Sequence, residues 1–345
     1  MALTTGSIRL IWSMQAVVSS TAESSPRAMR SSASRADSAE GSIQRRYAIE
    51  RRLCVGSDHH ERSGTKAVYS ELVIRVGGMQ GTWQDLSDHT VVVTGAASGI
   101  GAALVDSLIA ANASVYTLDV AAVTAPVAQA VQCDLGDKAS IDLALELMPG
   151  RVDWLMNCAG VPNGGRFTAP EVMAINWLGL RHLTEALLPR IPAGGSITHV
   201  ASTAGRGWAD NVEHHRMLMG ADTFESGSAW VDTNGDIIGD GYSFSKQAVQ
   251  FYTMWRALQL LPERDVRMNS LCPGVTNTQL SQDFRRGVGD DVIDRAIALA
   301  GRAAEPAEMV GALLFLADNR TASYVNGINL NVDRGTGAAH LVGAW

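Results

Sequence analysis

From Thr90 onward, short runs of β-branched and aliphatic residues alternate with longer Ala- and Leu-rich stretches of helical period. Thr90-Val91-Val92-Val93 reads as a buried strand, Ile100–Asn112 as a helix, Ser114–Leu118 as a strand and Ser140–Met148 as a helix. Val152–Met156, Ser196–Val200 and Val266–Leu271 read as further strands, and Gln247–Leu261 and Pro306–Ala317 as helices. Such βαβ alternation predicts an α/β, doubly wound parallel sheet with helices on both faces. Right-handed crossovers would then gather loops and ligands at the carboxyl ends of the strands.

Residues 1–78 lack this periodicity. They hold 14 Ser, with ten Arg and one Lys against seven acidic residues, a net of +4 that leaves −11 of the formal −7 on residues 79–345. No sustained period of 2 or 3.6 runs through them, so the stretch is expected to have no core of its own. An Arg- and Ser-rich start could be an organelle transit peptide, but seven acidic residues and the Asp58-His59-His60-Glu61 cluster fit that poorly. The expected organisation is a non-native or coreless extension over 1–78, with the natural start at Met79, and one domain over 79–345.

Composition then narrows the chemistry. A net charge of −7 argues against a nucleic-acid surface, which needs clustered Lys and Arg. No apolar run approaches the roughly 18 residues of a membrane helix. Cys54, Cys133, Cys158 and Cys272 are widely spaced without a C-x-x-C pair, reading as reduced thiols of a cytoplasmic protein rather than a disulfide framework or zinc site. His214-His215 project about 100° apart on a helix and lack further ligands, and Asp232-x-Asn234-x-Asp236 has Ile237 where a calcium loop needs Gly. No metal is expected.

The first strand leads into Thr94-Gly95-Ala96-Ala97-Ser98-Gly99-Ile100-Gly101 and then a helix, the setting in which glycines and free N–H groups receive a pyrophosphate. Asp119 ends the second strand 18 residues after Gly101. An acid there can accept from both ribose hydroxyls and repel a 2′-phosphate, which selects NAD over NADP; a turn or capping role is the bland alternative. Tyr242 and Lys246, four apart on a helix, share a face, so the ammonium can favour the phenolate and turn Tyr242 into a usable base.

The spacing Gly95-x3-Gly99-x-Gly101 resembles the T-G-x-x-x-G-x-G of the short-chain dehydrogenase/reductase family, a Rossmann-type fold. Asn157-Cys158-Ala159-Gly160 is similar to its N-N-A-G with Cys158 as a departure, Tyr242-Ser243-Phe244-Ser245-Lys246 to its Y-x-x-x-K, and Pro273-Gly274-Val275-Thr276-Asn277-Thr278 to its P-G-x-x-x-T. Ser202 follows strand Ser196–Val200 where the family places its catalytic Ser, and Asn176 matches its helical Asn. The resemblance spans about residues 88 to 335. It implies an oxidoreductase in which Tyr242 carries the proton, Ser202 polarises the substrate oxygen and Lys246 binds the nicotinamide ribose and lowers the Tyr pKa. Asn176 would hold a water linking Lys246 to solvent. Cofactor contacts are implied at Gly95, Ser98, Gly99, Ile100, Gly101, Asp119, Asp134, Leu135, Asn157, Ala159, Gly160, Pro273, Gly274, Val275 and Thr278. A homodimer or homotetramer paired through Gln247–Leu261 and Trp177–Leu188 is also implied.

The chain departs from most members in the 40-residue step from Ser202 to Tyr242. The resulting helical insertion, residues 206–240, carries Trp208, Met217, Phe224 and Trp230, which either line a pocket for a bulky hydrophobic alcohol or carbonyl or pack a flap onto the domain. A long insertion here also resembles the subgroup of coniferyl-alcohol dehydrogenases and 3α-hydroxysteroid dehydrogenase/carbonyl reductases. That likeness implies an aromatic or polycyclic substrate. A non-catalytic NAD sensor is the competing class, against which Asn176, Ser202, Tyr242 and Lys246 speak together.

Overall fold

The computed structural model describes residues 85–344 except 165 and 289, so the expectations for residues 1–78 and for a start at Met79 lie outside the described residues. Seven strands form one parallel sheet: β1 (Thr90–Thr94), β2 (Ser114–Asp119), β3 (Gln129–Gln132), β4 (Trp154–Asn157), β5 (Ser196–Val200), β6 (Arg267–Pro273) and β7 (Asn329–Val332). Their order is β3-β2-β1-β4-β5-β6-β7, with β1 pairing in parallel with both β2 and β4. The chain reverses its direction of winding between β1 and β4, and a crevice opens at their carboxyl ends.

Alternation along the strands divides the core. Val91 and Val93 face Leu104 and Leu108 of helix α1 (Gly99–Ala110), together with Leu313. Val92 faces the opposite layer, with Leu155, Ile197, Trp177 and Tyr252. Strands buried on both faces need continuous apolar runs, and β1, β4 and β5 are buried along nearly their whole length. By contrast, β3 is a mostly exposed edge and β7 reads Asn-Leu-Asn-Val, patterns too polar or short to mark strands by themselves.

Helix α2 (Lys138–Glu146) covers the sheet beside a broken helix formed by α3 (Ala169–Met173), a π-helical turn (Ala174–Gly179) and α4 (Leu180–Leu187). The insertion begins as a 3₁₀ segment (Thr203–Asn211) and continues as α5 (Val212–Gly220), α6 (Phe224–Thr233) and the single turn α7 (Gly235–Ile238). Thr223 and Ser226 form a reciprocal capping box at the start of α6. Helix α8 (Tyr242–Arg264) starts five residues before the expected Gln247. Gly241 adopts φ +81 at its entrance, and Asp240 Oδ1 accepts from Tyr242 N at 3.0 Å.

The insertion is clamped to α8 by rings. Trp230 stacks on Phe244 at 5.9 Å, His215 lies between Phe244 at 4.7 Å and Phe251 at 5.5 Å, and Trp208 meets Phe251 at 6.4 Å. Arg181 of α4 donates to the carbonyls of Met219 and Ala221, tying the insertion to that helix as well. Part of the face expected to pair subunits is thus covered within the chain, while Leu258 on α8 remains 77% exposed.

The buried imidazoles make stability depend on acid. Burial pushes His215 down to about 4 and His199 down to about 3, from an ordinary 6.5. Both stay neutral in the folded protein while the unfolded chain protonates them below 6.5, so their contribution to stability is present above that pH and is lost as pH falls toward 4. We expect thermal unfolding measured at pH 7 and pH 5 to differ by about 2 kcal/mol on account of His215. His215→Phe, which keeps a stacking ring, should flatten the pH dependence; an unchanged slope in that variant would refute the assignment.

Candidate active site

The crevice floor is the turn joining β1 to α1. Gly95 holds φ +66 and Gly99 φ +56, the left-handed region. A Cβ on Gly95 would lie 2.6 Å from Ala159 Cα, so the turn and the strand-end segment of residues 158–160 approach as closely as backbone permits. The Ser98 side chain makes no cap bond, leaving the first N–H groups of α1 without a side-chain acceptor. Asp119 takes the capping role, Oδ2 accepting from Ala97 N at 2.9 Å and Oδ1 from Ala121 N at 2.8 Å, and it lines the crevice. Its carboxylate is therefore positioned by the turns it caps.

At the other end, Tyr242 and Lys246 open α8 and Ser202 follows β5. Ser202 Oγ accepts from Ala204 N at 3.1 Å, and its carbonyl accepts from Gln250 Nε2 at 2.7 Å. Lys246 Nζ donates to Val200 O at 3.0 Å and sits 5.8 Å from the centre of the Tyr242 ring. Burial pushes the Lys246 ammonium down to about 8. It also pushes the Tyr242 phenol up to about 12, with the Ser202 hydroxyl acting in the opposite sense and Asp240 reinforcing the rise. The expected lowering of the Tyr242 pKa by Lys246 is thus not what this geometry produces. The ammonium points at a carbonyl, and desolvation of the phenolate outweighs it.

Asn176 lies fully buried in the π-helical turn. Its Oδ1 accepts from Val161 N at 2.8 Å, and its Nδ2 donates to Val161 O at 3.0 Å and Ser245 Oγ at 3.2 Å. These bonds tie the broken helix to the segment after β4 and to α8. A Cβ on Gly160 would meet both Lys246 Nζ at 3.2 Å and Asn176 Oδ1 at 3.4 Å, which shows how tightly the three residues converge.

One cavity of about 740 Å³ connects the two ends. It is lined by Gly95, Ser98, Gly99, Ile100, Gly101, Asp119, Asp134, Leu135, Ala159 and Gly160, and by Ser202, Tyr242, Lys246, Pro273, Gly274, Val275 and Thr278. Asn157, expected at the cofactor, turns inward instead. It is buried and its Nδ2 bonds Thr184 Oγ1 at 2.9 Å and His199 Nδ1 at 3.0 Å, bracing β4 from within the core. Trp208, Met217, Phe224 and Trp230, expected at the substrate, do not line the cavity. Three of them are spent in packing, Phe224 against His182 at 6.1 Å and the two tryptophans against α8, and Met217 is 57% exposed.

The rest of the cavity wall includes residues that motif reasoning missed: Arg166 and Phe167 after β4, and Leu280, Phe284, Val292, Ile293 and Ala296 on helices α9 (Gln279–Val288) and α10 (Asp290–Ala300). Phe284 meets the Tyr242 ring edge-on at 4.5 Å. The available signal was the apolar stripe following Pro273-Gly274-Val275-Thr276-Asn277-Thr278, which pattern alone cannot aim.

Comparison with known proteins bears on what this site belongs to. The family described as short chain dehydrogenase matches residues 89–212, and that described as Enoyl-(Acyl carrier protein) reductase matches residues 235–337. A coniferyl-alcohol dehydrogenase from a Pseudomonas species is 33% identical over 259 residues, covering 74% of this chain and 99% of that protein. This chain belongs to the short-chain dehydrogenase/reductase family. A 3-alpha-hydroxysteroid dehydrogenase/carbonyl reductase from Comamonas testosteroni is 30% identical over 255 residues, covering 72% of this chain and 96% of the relative. The solved 3-alpha-hydroxysteroid dehydrogenase of a Pseudomonas species, complexed with NADH, superposes with a TM-score of 0.62 at 28% identity, covering 73% and 98% of the two chains.

As a short-chain dehydrogenase/reductase, the protein is an oxidoreductase of alcohols and carbonyls that uses a nicotinamide cofactor. The residues present fit such a dinucleotide: a glycine turn with no room for a Cβ at Gly95 or Gly101, with Asp119 ending β2 and Asp134 just after β3, lies at one end, and a buried Tyr-Lys pair at the other. Among the described residues no helix is long and apolar enough to cross a membrane, and no cluster of three metal-ligating side chains occurs.

Proposed function

We propose that this short-chain dehydrogenase/reductase is an NAD-dependent dehydrogenase of a bulky aromatic, coniferyl-like alcohol, acting as a cytoplasmic homodimer or homotetramer. The observation that carries the cofactor choice is Asp119, whose carboxylate the turn amides hold at the crevice wall. Its neighbours Ala96, Ala97, Val120 and Ala121 offer a 2′-phosphate no cation. The cations lining the cavity, Arg166, Arg206 and Lys246, belong to elements at the Ser202 and Tyr242 end. Phe167, Phe284, Val292 and Ile293 support an aromatic substrate by supplying apolar wall beside Tyr242.

In this reading Ser202 Oγ hydrogen-bonds the substrate oxygen, and the Tyr242 phenol oxygen exchanges the proton of the same group. Bound NAD would supply the acceptor for the hydride leaving the alcohol carbon. Lys246 holds positive charge beside the phenol, and Asn176 keeps α8 and the segment of residues 158–161 in register. Burial raises the Tyr242 phenol to about 12, so it rests protonated at neutral pH, the form that serves carbonyl reduction, and alcohol oxidation must first draw that proton away.

The test is to mix the protein with NAD and a panel of cinnamyl and steroid alcohols and to follow absorbance of the reduced cofactor. Turnover of cinnamyl-type alcohols above short aliphatic ones is expected. NAD binding with no turnover on any alcohol or carbonyl would favour a sensor instead. NAD should exceed NADP at least about tenfold in kcat/KM, about 1.4 kcal/mol. Asp119→Asn, which can still accept from a turn amide but carries no charge, should relax that margin. Equal use of both cofactors by the unmutated protein would contradict the assignment.

A further inference from the structure

The stripe of α8 that carries Tyr242 and Lys246 runs one turn further to Gln250, since residues four and eight apart share a helix face. Gln250 is 3% exposed and does not line the cavity, so it can act on the chemistry only through a neighbour. That neighbour is Ser202. Gln250 Nε2 donates to Ser202 O at 2.7 Å and to Cys272 Sγ at 3.3 Å. We infer that Gln250 is a positioning residue for the reaction, holding the Ser202 turn against α8 so that the Ser202 hydroxyl and the Tyr242 phenol meet the same substrate oxygen. The inference rests on the dehydrogenase reading of this site.

Helix α8 grips the end of β5 at two points. Lys246 Nζ donates to Val200 O at 3.0 Å, and Gln250 Nε2 donates to Ser202 O. The donors are four residues apart on the helix, and the acceptors two apart on the strand and its extension, where Ser202 keeps φ −171 and ψ 154. Extended chain repeats every two residues and a helix nearly every four, so one helix face meets one edge of the chain in register. Between the two acceptors, Ala201 N donates to Leu271 O of β6 at 2.8 Å and ties the chain to the sheet. The Ser202 backbone is thus fixed just before the 3₁₀ segment turns away.

The Gln250 bond does more than satisfy a carbonyl, because Ser202 O also accepts from Gly205 N at 3.0 Å. What Gln250 adds is direction. A Cβ on Gly205 would lie 2.6 Å from both Gln250 Nε2 and Lys246 O, so the turn sits against the helix with no slack. Both amide hydrogens of Gln250 are spent, one on an oxygen and one on a sulfur, and the reversed amide would set its own oxygen against the Ser202 carbonyl. A leucine there fills similar space and gives no direction. Ser202 Oγ accepts from Ala204 N at 3.1 Å within the same turn, so a turn that tilts carries the hydroxyl with it.

The test is a double-mutant cycle on kcat with cinnamyl alcohol and NAD, using Gln250→Leu and Ser202→Ala. Gln250→Leu should lower kcat by about tenfold with KM and NADH affinity within about twofold, because misplacing a reacting group costs the chemical step rather than binding. In the Ser202→Ala background the same substitution should change kcat by less than about twofold. Gln250→Glu supplies a readout that a packing role would not move, since a buried carboxyl can donate to Ser202 O only while protonated. In cinnamaldehyde reduction its rate relative to the unmutated enzyme should rise from about one tenth at about pH 8 to about one half at about pH 6. Thermal melts and NADH titrations establish that each variant is folded, and if Gln250→Leu is not, the cycle runs with Gln250→Glu at about pH 8. Full kcat in folded Gln250→Leu would overturn the inference. So would an undiminished loss in the Ser202→Ala background, which would show that Gln250 does not act through Ser202. Absence of turnover on any alcohol or carbonyl by the unmutated protein would overturn the dehydrogenase reading and this inference with it, whereas turnover with an additive cycle would overturn this inference alone.

Discussion

Tyr242→Phe is expected to lower alcohol turnover by a factor of about 10² or more while leaving NAD affinity little changed. The substitution removes one oxygen and keeps the ring that packs edge-on against Phe284 at 4.5 Å. Beside Tyr242, the cavity's other hydroxyl groups include Ser202, whose Oγ accepts from Ala204 N, while the Tyr242 ring has the buried Lys246 ammonium 5.8 Å from its centre. Steady-state rates with a saturating cinnamyl alcohol, alongside a direct NAD titration, separate the two effects. A variant that kept most of its activity would show that another group carries the proton.

Gly101→Ala should abolish measurable NAD binding at micromolar protein and lower the unfolding temperature. A Cβ at this position would fall inside the van der Waals envelope of the Gly95 carbonyl oxygen, and the next contact is Gly95 carbon at 2.8 Å. Because backbone, not a flexible side chain, stands in the way, the turn itself must move, and with it the N–H groups that open α1. Fluorescence titration with NADH and a thermal melt check both parts. Gly150→Ala, where a Cβ would meet nothing within 4 Å, serves as the control. Normal binding by Gly101→Ala would mean that the glycine turn does not hold the dinucleotide.

Much of the architecture was legible because buried parallel strands must be apolar along their whole length. That constraint made β1, β2, β4, β5 and β6 readable to within two residues. It was weakest for β3 and β7, since an edge strand and a short terminal strand are stabilised by the ladder they join rather than by their own composition. The start of α8 was misjudged for a similar reason. The helix is launched by Gly241 and by the Asp240 carboxylate, and neither is part of an apolar period.

For the site, the sequence by itself determined the parts that depend on local backbone: the glycine turn, Asp119 at the end of β2, the helical spacing of Tyr242 and Lys246, and the Ser that follows β5. Local spacing controls those placements, so a motif carries them. Only the tertiary structure decided which way side chains point across elements. It turned Asn157 into the core toward Thr184 and His199, and spent Trp208 and Trp230 on the ring stack against α8. It brought Phe167 and Phe284 from separate segments to one cavity. It also reversed the expected electrostatics of Tyr242, because a pKa depends on desolvation and on where the neighbouring ammonium is directed, and both are set by packing that no spacing along the chain encodes.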